Sequence, residues 1–426
     1  RPRHRRRFPC WSAPSPARTA RSARSRAPAR SDPPPASIRF VDRARRDRRT
    51  RHRAHRRHRS TPRGRRRVTG FAELLAESQV VICCGTGGVG KTTTSAATAL
   101  AAATAGRRAC VVTIDPAKRL ADALGIGELS NTPTVIEGPW DGTLAALMLD
   151  TESTFDEVVR RHAHDDAQAD RILGNRFYRN ISGTLSGTQD YMAVEKLSEL
   201  SSSGDWDLIV VDTPPTRDAL AFLEAPKLLT RLLDNPIYKV VTTSNRGLIG
   251  VANRAAQGVL RQLARVVGAA VVDEAVAFFQ AFQGMEDGFR GRAQSTLELL
   301  GDDRTSFVLV ASPRSDTLDE TRYFLDRIRA ADLDASGVVV NRMLPGTGVD
   351  TERAAVIRAG LADTPSASAA TALADLAAAA ADDEDRVTDL NESAPDAVLV
   401  RVPMLSDDVH DLDGLRRIAD LLTADA

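Results

Sequence analysis

The stretch ICCGTGGVGKTTT, Ile82 to Thr94, decides the fold. Its core, Gly85-Thr-Gly-Gly-Val-Gly90-Lys91-Thr92, fits the spacing G-x-x-x-x-G-K-[ST], with an apolar run before it and an alanine-rich helical pattern after it. Glycines let a backbone wrap closely around phosphates and turn its N–H groups inward. The helix that follows adds the positive end of its dipole. Gly85, Thr86, Gly87, Gly88, Val89, Gly90 and Thr93 are therefore the expected cradle. Lys91 is expected at the β- and γ-phosphates, and the Thr92 hydroxyl on a Mg²⁺ ion, so ATP and Mg²⁺ are the implied cofactors.

Outward from this loop, short apolar runs recur at Gln79–Cys84, Ala109–Ile114, Leu144–Leu149, Leu208–Val211, Ser306–Val310, Gly337–Val340 and Ala397–Val402. Several are apolar without alternation, as strands buried on both faces must be. Helical patterns such as Thr93–Ala105 and Leu318–Ala330 separate them. The alternation predicts an α/β fold, a doubly wound and mostly parallel sheet flanked by helices. Two stretches exceed that minimum, Thr151–Ser203 and Arg217–Asp303, and are expected to form a helical insert subdomain. In the second, Ala275, Phe278, Phe282, Met285 and Phe289 recur at helical spacing, which suits packing within the domain better than a groove for a foreign helix. Ala359–Ala381 reads as a helix ending at the acidic run DDED.

Two further elements bear on the phosphate loop. LIVVDTPP, Leu208–Pro215, is an apolar strand ending in Asp212, placed to hold Mg²⁺ directly or through water. In VVTIDPAKRLADALG, Val111–Gly125, Asp115 ends a strand and Pro116 turns the chain. A carboxylate there could orient an attacking water, but an Asp-Pro turn alone would look the same.

The net charge of +2 conceals two opposite parts. Residues 1–67 hold 25 Arg, no Lys and 3 acidic residues, a net of +22, and the other residues hold 33 basic and 53 acidic ones, a net of −20. The leader has few apolar residues and no periodicity, so it is expected to be disordered. It reads as a nucleic-acid-binding arm, as an organellar transit peptide, or as sequence foreign to the native protein, with Val68 the true start. The third reading is favoured, because the lysine-free Arg/Pro/Ala mixture is unlike the body. The 68–426 body holds only Cys83, Cys84 and Cys110, with no C-x-x-C pair, so neither a zinc site nor a disulfide framework is expected. No apolar run reaches the length of a spanning helix, and the body reads as cytoplasmic.

Together the phosphate loop, the Asp115-Pro116-Ala117 element and the Asp212 element resemble the arsenical-pump ATPase family, which includes the guided-entry ATPases for tail-anchored proteins and the actinobacterial anion-transporting ATPases. The resemblance covers nearly all of residues 70–423. It implies a P-loop NTPase fold, a Mg-dependent ATPase that switches as a dimer, and Asp115 as the residue that positions or activates water. The second element here reads Asp212-Thr-Pro-Pro-Thr-Arg-Asp-Ala-Leu220, so Arg217 and Asp218 replace the family's Gly-His pair. VVVNRMLP is similar to the family's adenine-reading strand, which puts that role on Asn341. VPMLSDDVHDLDGL resembles the loop over the base, headed by Pro403.

Where the family's close members carry a lysine, this loop has Thr86. In the family that lysine reaches the partner's nucleotide, where a cation stabilises charge during phosphoryl transfer. Either another cation substitutes, with Arg119 and Arg217 the candidates, or the chain pairs as a heterodimer with a relative that retains the lysine; the second is favoured. The shortage of cysteines in the helical stretches counts against metalloid handling, and the missing C-x-x-C after the Asn341 strand against a zinc-held dimer. The client is expected to be a hydrophobic helix, a partner ATPase or a membrane complex. A positioning ATPase resembling MinD or ParA is the alternative, but the acidic body and the short, neutral C-terminal end weigh against membrane or nucleic acid unless the leader is native. A metabolic kinase is a third reading, disfavoured by the long inserts and the Asp-Pro-Ala element.

Overall fold

The computed structural model describes residues 68–115, 119–182, 188–214 and 268–424, with scattered positions between 224 and 266. The leader 1–67, Pro116 and Ala117, and Pro215 to Leu220 with Arg217 and Asp218 lie outside the described residues.

Eight strands form one sheet: β1 (Val80–Cys84), β2 (Arg108–Thr113), β3 (Thr134–Ile136), β4 (Thr143–Met148), β5 (Leu208–Asp212), β6 (Thr305–Ala311), β7 (Ala335–Met343) and β8 (Val398–Pro403). Their order is β3-β4-β2-β5-β1-β6-β7-β8. Every pairing is parallel except that of β3 with β4. The chain builds to one side of β1 and then reverses to the other, so the topological switch point lies at β1. All seven apolar runs become strands. The eighth, β3, is too short and too exposed to leave a periodic signal: of Thr134, Val135 and Ile136 only the last is buried.

Buried strands send alternate residues to opposite faces. Val80, Ile82 and Cys84 of β1 join one core, while Val81 and Cys83 join the other. The second core is covered by α1 (Phe71–Glu77) and α2 (Lys91–Thr104), together with the C-terminal helix, whose Leu415, Ile418 and Leu422 are buried. Ala96, Ala97, Ala99 and Ala102 line α2, and such small side chains let the helix lie close to both the sheet and its helical neighbour. The six-residue α3 (Arg119–Leu124) follows β2.

The other face carries the helical stretches. Thr151–Ser203 folds as α4 (Thr151–His162), α5 (Asp166–Leu173), α6 (Arg176–Ser182) and α7 (Thr188–Ser203). The described part of the second stretch includes α8 (Ala269–Ala281) and α9 (Glu286–Leu300). The α4 and α5 starts are fixed by Asp150 and Asp165, whose carboxylates accept from Ser153 N and Gln168 N at 2.6 and 2.7 Å. Between α8 and α9 the chain turns at Gly284, at φ +95°. The apolar stripe thus spans two helices and faces inward: Phe278, Phe282, Met285 and Phe289 are buried, and Phe282 meets Phe289 at 4.8 Å between ring centroids. Those four side chains are used in packing within the domain.

α10 (Ser315–Ala330) returns to the sheet, followed by α11 (Thr351–Gly360), α12 (Ala367–Ser393) and α13 (Leu412–Thr423). One sequence expectation is corrected here. The helix read as Ala359–Ala381 is two helices broken at Leu361–Ser366, and α12 runs through DDED to Ser393. Pro365 lies in the break, immediately before Ser366 at the start of α12, and Asp383 is buried within α12. Its carboxylate accepts from Leu344 N at 3.2 Å and from Arg386 Nη1 at 3.0 Å.

Candidate functional site at the carboxyl end of the sheet

The loop from Gly85 to Gly90 leaves β1 and opens directly into α2. Two of its glycines are demanded by close approach: a Cβ at Gly85 would collide with the Val310 carbonyl, and one at Gly90 with Asn341 Nδ2. Gly90 also stands at φ +93° as the residue before α2, where a side chain would be strained. The expected loop-then-helix geometry is present.

Lys91 folds back over the loop and donates from Nζ to Thr86 O at 3.0 Å. Burial lowers its ammonium below the usual lysine value, against the pull of the Asp212 carboxylate. At the end of β5, Asp212 is fully buried. Register explains its surroundings, because Asp212 lies beside Cys83 of β1 and Thr113 of β2. Thr92 and Thr113 hydroxyls donate to its Oδ2 at 2.8 and 3.0 Å, and Ser95 Oγ reaches Oδ1 at 3.5 Å. Burial pushes Asp212 up to about 6, opposed by the Thr92 hydrogen bond, the Lys91 charge and the Thr113 hydrogen bond. A carboxylate and a threonine hydroxyl 2.8 Å apart, both hard oxygen donors, fit a magnesium ion.

Asp115 stands just beyond β2, two residues after Thr113, and lines a cleft of ≈ 280 Å³. The same cleft is lined by Gly88, Gly90, Lys91, Thr92 and Thr93, so the structure brings the predicted loop and Asp115 together. Arg119, from the first turn of α3, lines it as well. The segment leading to Asp115 is tied to the helical layer: Gln189 of α7 donates from Nε2 to Ile114 O at 2.7 Å. Ile114 N in turn donates to Asp212 O at 3.0 Å.

Asn341 is close to the loop but turned under it. Its amide donates from Nδ2 to Val89 O at 2.9 Å, and its Oδ1 accepts from Arg342 N at 2.9 Å. Pro403 ends β8 beside Met343, and Val409, six residues on, is the late-loop residue in the cleft wall. Thr86 is buried in the chain, its hydroxyl without a hydrogen-bond partner among the described residues. It is not placed to cross to another molecule.

Sequence reasoning gave no role to Arg342, Asp122 or Val409, which all line the cleft, as does Thr213 of the second element. It also passed over Thr113 and Gln189. Thr113 could have been found by aligning the ends of β2 and β5. Arg342 had one signal, its place next to Asn341 at the end of a buried strand. Cys83, Cys84 and Cys110 are fully buried, and burial pushes each thiol up to about 12, so none serves as a nucleophile here.

The sequence comparisons agree with this geometry. ATPase ARSA2 of Chlamydomonas reinhardtii is 28% identical over 269 residues, covering 61% of this chain and 66% of that protein. ATPase GET3 of Phaeosphaeria nodorum is 25% identical over 262 residues, 61% of this chain and 75% of that one. ATPase get3 of Aspergillus terreus is 23% identical over 352 residues, 79% and 88% of the two chains. The chain thus spans about two thirds of the ARSA2 protein it matches, at 66%. The anion-transporting ATPase family model matches residues 78–424, from two residues before β1 to just past α13. With the phosphate loop, the buried Asp212 and the eight-stranded sheet all falling inside that match, the chain belongs to the anion-transporting ATPase family.

Proposed function

We propose that residues 68–426 form a Mg-dependent ATPase unit whose nucleotide state drives opening and closing of a dimer, and with it the grip of the helical inserts on a protein or membrane-complex client. The observation that carries this reading is the Thr92–Asp212 hydrogen bond of 2.8 Å, which joins the phosphate-loop helix to the end of β5. Thr92 and Asp212 would hold Mg²⁺, which when bound supplies positive charge against the phosphate oxygens. Lys91 moves from the Thr86 carbonyl to the β- and γ-phosphates, and Asp115 at the cleft wall orients water. Asn341 and Pro403 face the base; for Asn341 this requires its amide to exchange the Val89 and Arg342 contacts for adenine.

A dimer supplies what Thr86 lacks. The buried, neutral Thr86 offers no cation to a neighbour, so a heterodimer with a related lysine-bearing ATPase is the favoured assembly. The positioning-ATPase alternative loses support at the C-terminus, where the apolar face of α13 is buried against the body and not free for a membrane. Among the described residues no helix is long and apolar enough to cross one.

The test is ATP binding and turnover by the full chain. The chain alone should bind Mg-ATP and hydrolyse it slowly, with a lysine-bearing relative raising the rate. Lys91→Ala should abolish binding; unchanged binding by that variant would sink the ATPase reading. Fast hydrolysis by the isolated chain would remove the heterodimer and leave the ATPase.

A further inference from the structure

The end of β7 carries a residue in an unusual state. Arg342 stands at φ +62°, a left-handed backbone that residues with a Cβ adopt rarely. It is held there from two sides. Its N–H donates to Asn341 Oδ1, and Asn341 is itself bonded to Val89 O in the phosphate loop. The pairing with β8 shifts register at this point, between Val340 and Met343, which turns the Arg342 side chain out of the sheet ladder. Its guanidinium then donates from Nη1 to Gly88 O at 2.9 Å and lines the cleft beside Lys91, Thr92 and Thr93.

Many of the described arginines of this acidic body are neutralised by carboxylates. Arg108 pairs with Asp207, Arg161 with Glu199, Arg292 with Glu195, Arg304 with Asp302 and Arg401 with Glu384. Among the described residues no carboxylate pairs with Arg342; its side chain makes one hydrogen bond, to a neutral carbonyl. A guanidinium has five N–H donors in a planar fork, and the fork suits phosphate oxygens. Strained backbone, an unneutralised cation and a place in the cleft wall coincide at one residue.

From these observations we propose that Arg342 is a nucleotide-binding residue, a cation supplied within the same chain that clamps the polyphosphate of the bound nucleotide while its Nη1 stays anchored on Gly88. The inference rests on the nucleotide reading of the cleft and adds to it the ligand part that Arg342 contacts. It is separate from the missing lysine: Arg342 acts in binding, on its own chain's ligand, and a partner's cation acts in turnover.

The experiment measures Mg-ATP and Mg-ADP affinity of the full chain by calorimetry for Arg342→Gln, Arg342→Lys and Lys91→Ala, with a thermal melt of each nucleotide-free protein. Glutamine can keep the hydrogen bond to Gly88 without the charge. Loss of one charged phosphate contact is expected to weaken both nucleotides about tenfold in Arg342→Gln, about 1.4 kcal/mol. Arg342→Lys should lose less than Arg342→Gln, with all melts alike. Wild-type affinity in Arg342→Gln would overturn the proposal. Equal loss in the Lys and Gln variants would overturn it too, by showing that the charge is unused. Wild-type affinity in Lys91→Ala would instead remove the nucleotide reading beneath it.

Discussion

The two faces of the sheet are packed by different means. On the α2 side, alanines fill the contact: Ala96, Ala97 and Ala99 are fully buried between the sheet and the neighbouring helices. On the α6–α9 side, rings fill it: Phe278, Phe282, Phe289, Tyr178 and Tyr191 meet one another at centroid distances of 4.8 to 6.2 Å. Small side chains permit close backbone approach and leave little shape to get wrong, which suits the helix whose first turn presents Lys91 and Thr92. Large rings need specific partners, and they bring polar groups with them. Tyr191 bonds the buried Glu195, which also takes Arg292 Nε at 2.8 Å, and Arg292 lies 4.7 Å over the Phe289 ring. Three of the four buried side-chain atoms left without a partner among the described residues are on this side, at His162, Arg292 and Thr296. The nucleotide face is a tight platform, and the opposite face is a mosaic of rings and charges. Gln189 bridges from that mosaic to Ile114, next to Asp115.

The contrast is open to direct attack. Phe289→Ala should give the largest loss, about 3–5 kcal/mol in denaturant unfolding, because a buried ring leaves a cavity that its neighbours cannot all close. Ala99→Leu tests the other face by overfilling, and should cost about 1–3 kcal/mol. If the alanine face tolerated leucine freely, its tightness would be refuted. The smallest effect lies in pH. Burial, then the charges of Arg292 and Arg161, lower His162 from 6.5 to about 4. The unfolded chain therefore takes up this proton first, and stability should fall as pH drops from 6.5 toward 4. His162→Phe should flatten that part of the melting-temperature profile; an unchanged slope would show that His162 is not its source.

Much of the nucleotide face is legible in sequence, for a physical reason. Its elements are local: the glycines of the loop, Lys91 and Thr92 lie in one stretch that folds as a strand, turn and helix. Strands buried on both faces announce themselves as apolar runs, as Val80–Cys84 and Leu208–Asp212 do. Legibility fails where short range ends. The acidic DDED run reads as an exit, yet Asp383 is held inside α12 by Leu344 N and Arg386, partners contributed in part by a distant segment. The three-residue β3 becomes a strand only because β4 lies beside it.

By itself, then, the sequence determined the parallel sheet and the phosphate loop, since motif spacing and uninterrupted apolar runs depend on neighbours along the chain, while Asp115 remained as readable as a plain Asp-Pro turn without the family resemblance. Tertiary structure alone decided which side chains meet across the sheet. Strand register set Thr113 against Asp212, a register shift freed Arg342 toward Gly88, and the return of α7 brought Gln189 to Ile114. Those contacts join residues about 75 to 254 positions apart, at separations where local propensity carries no information.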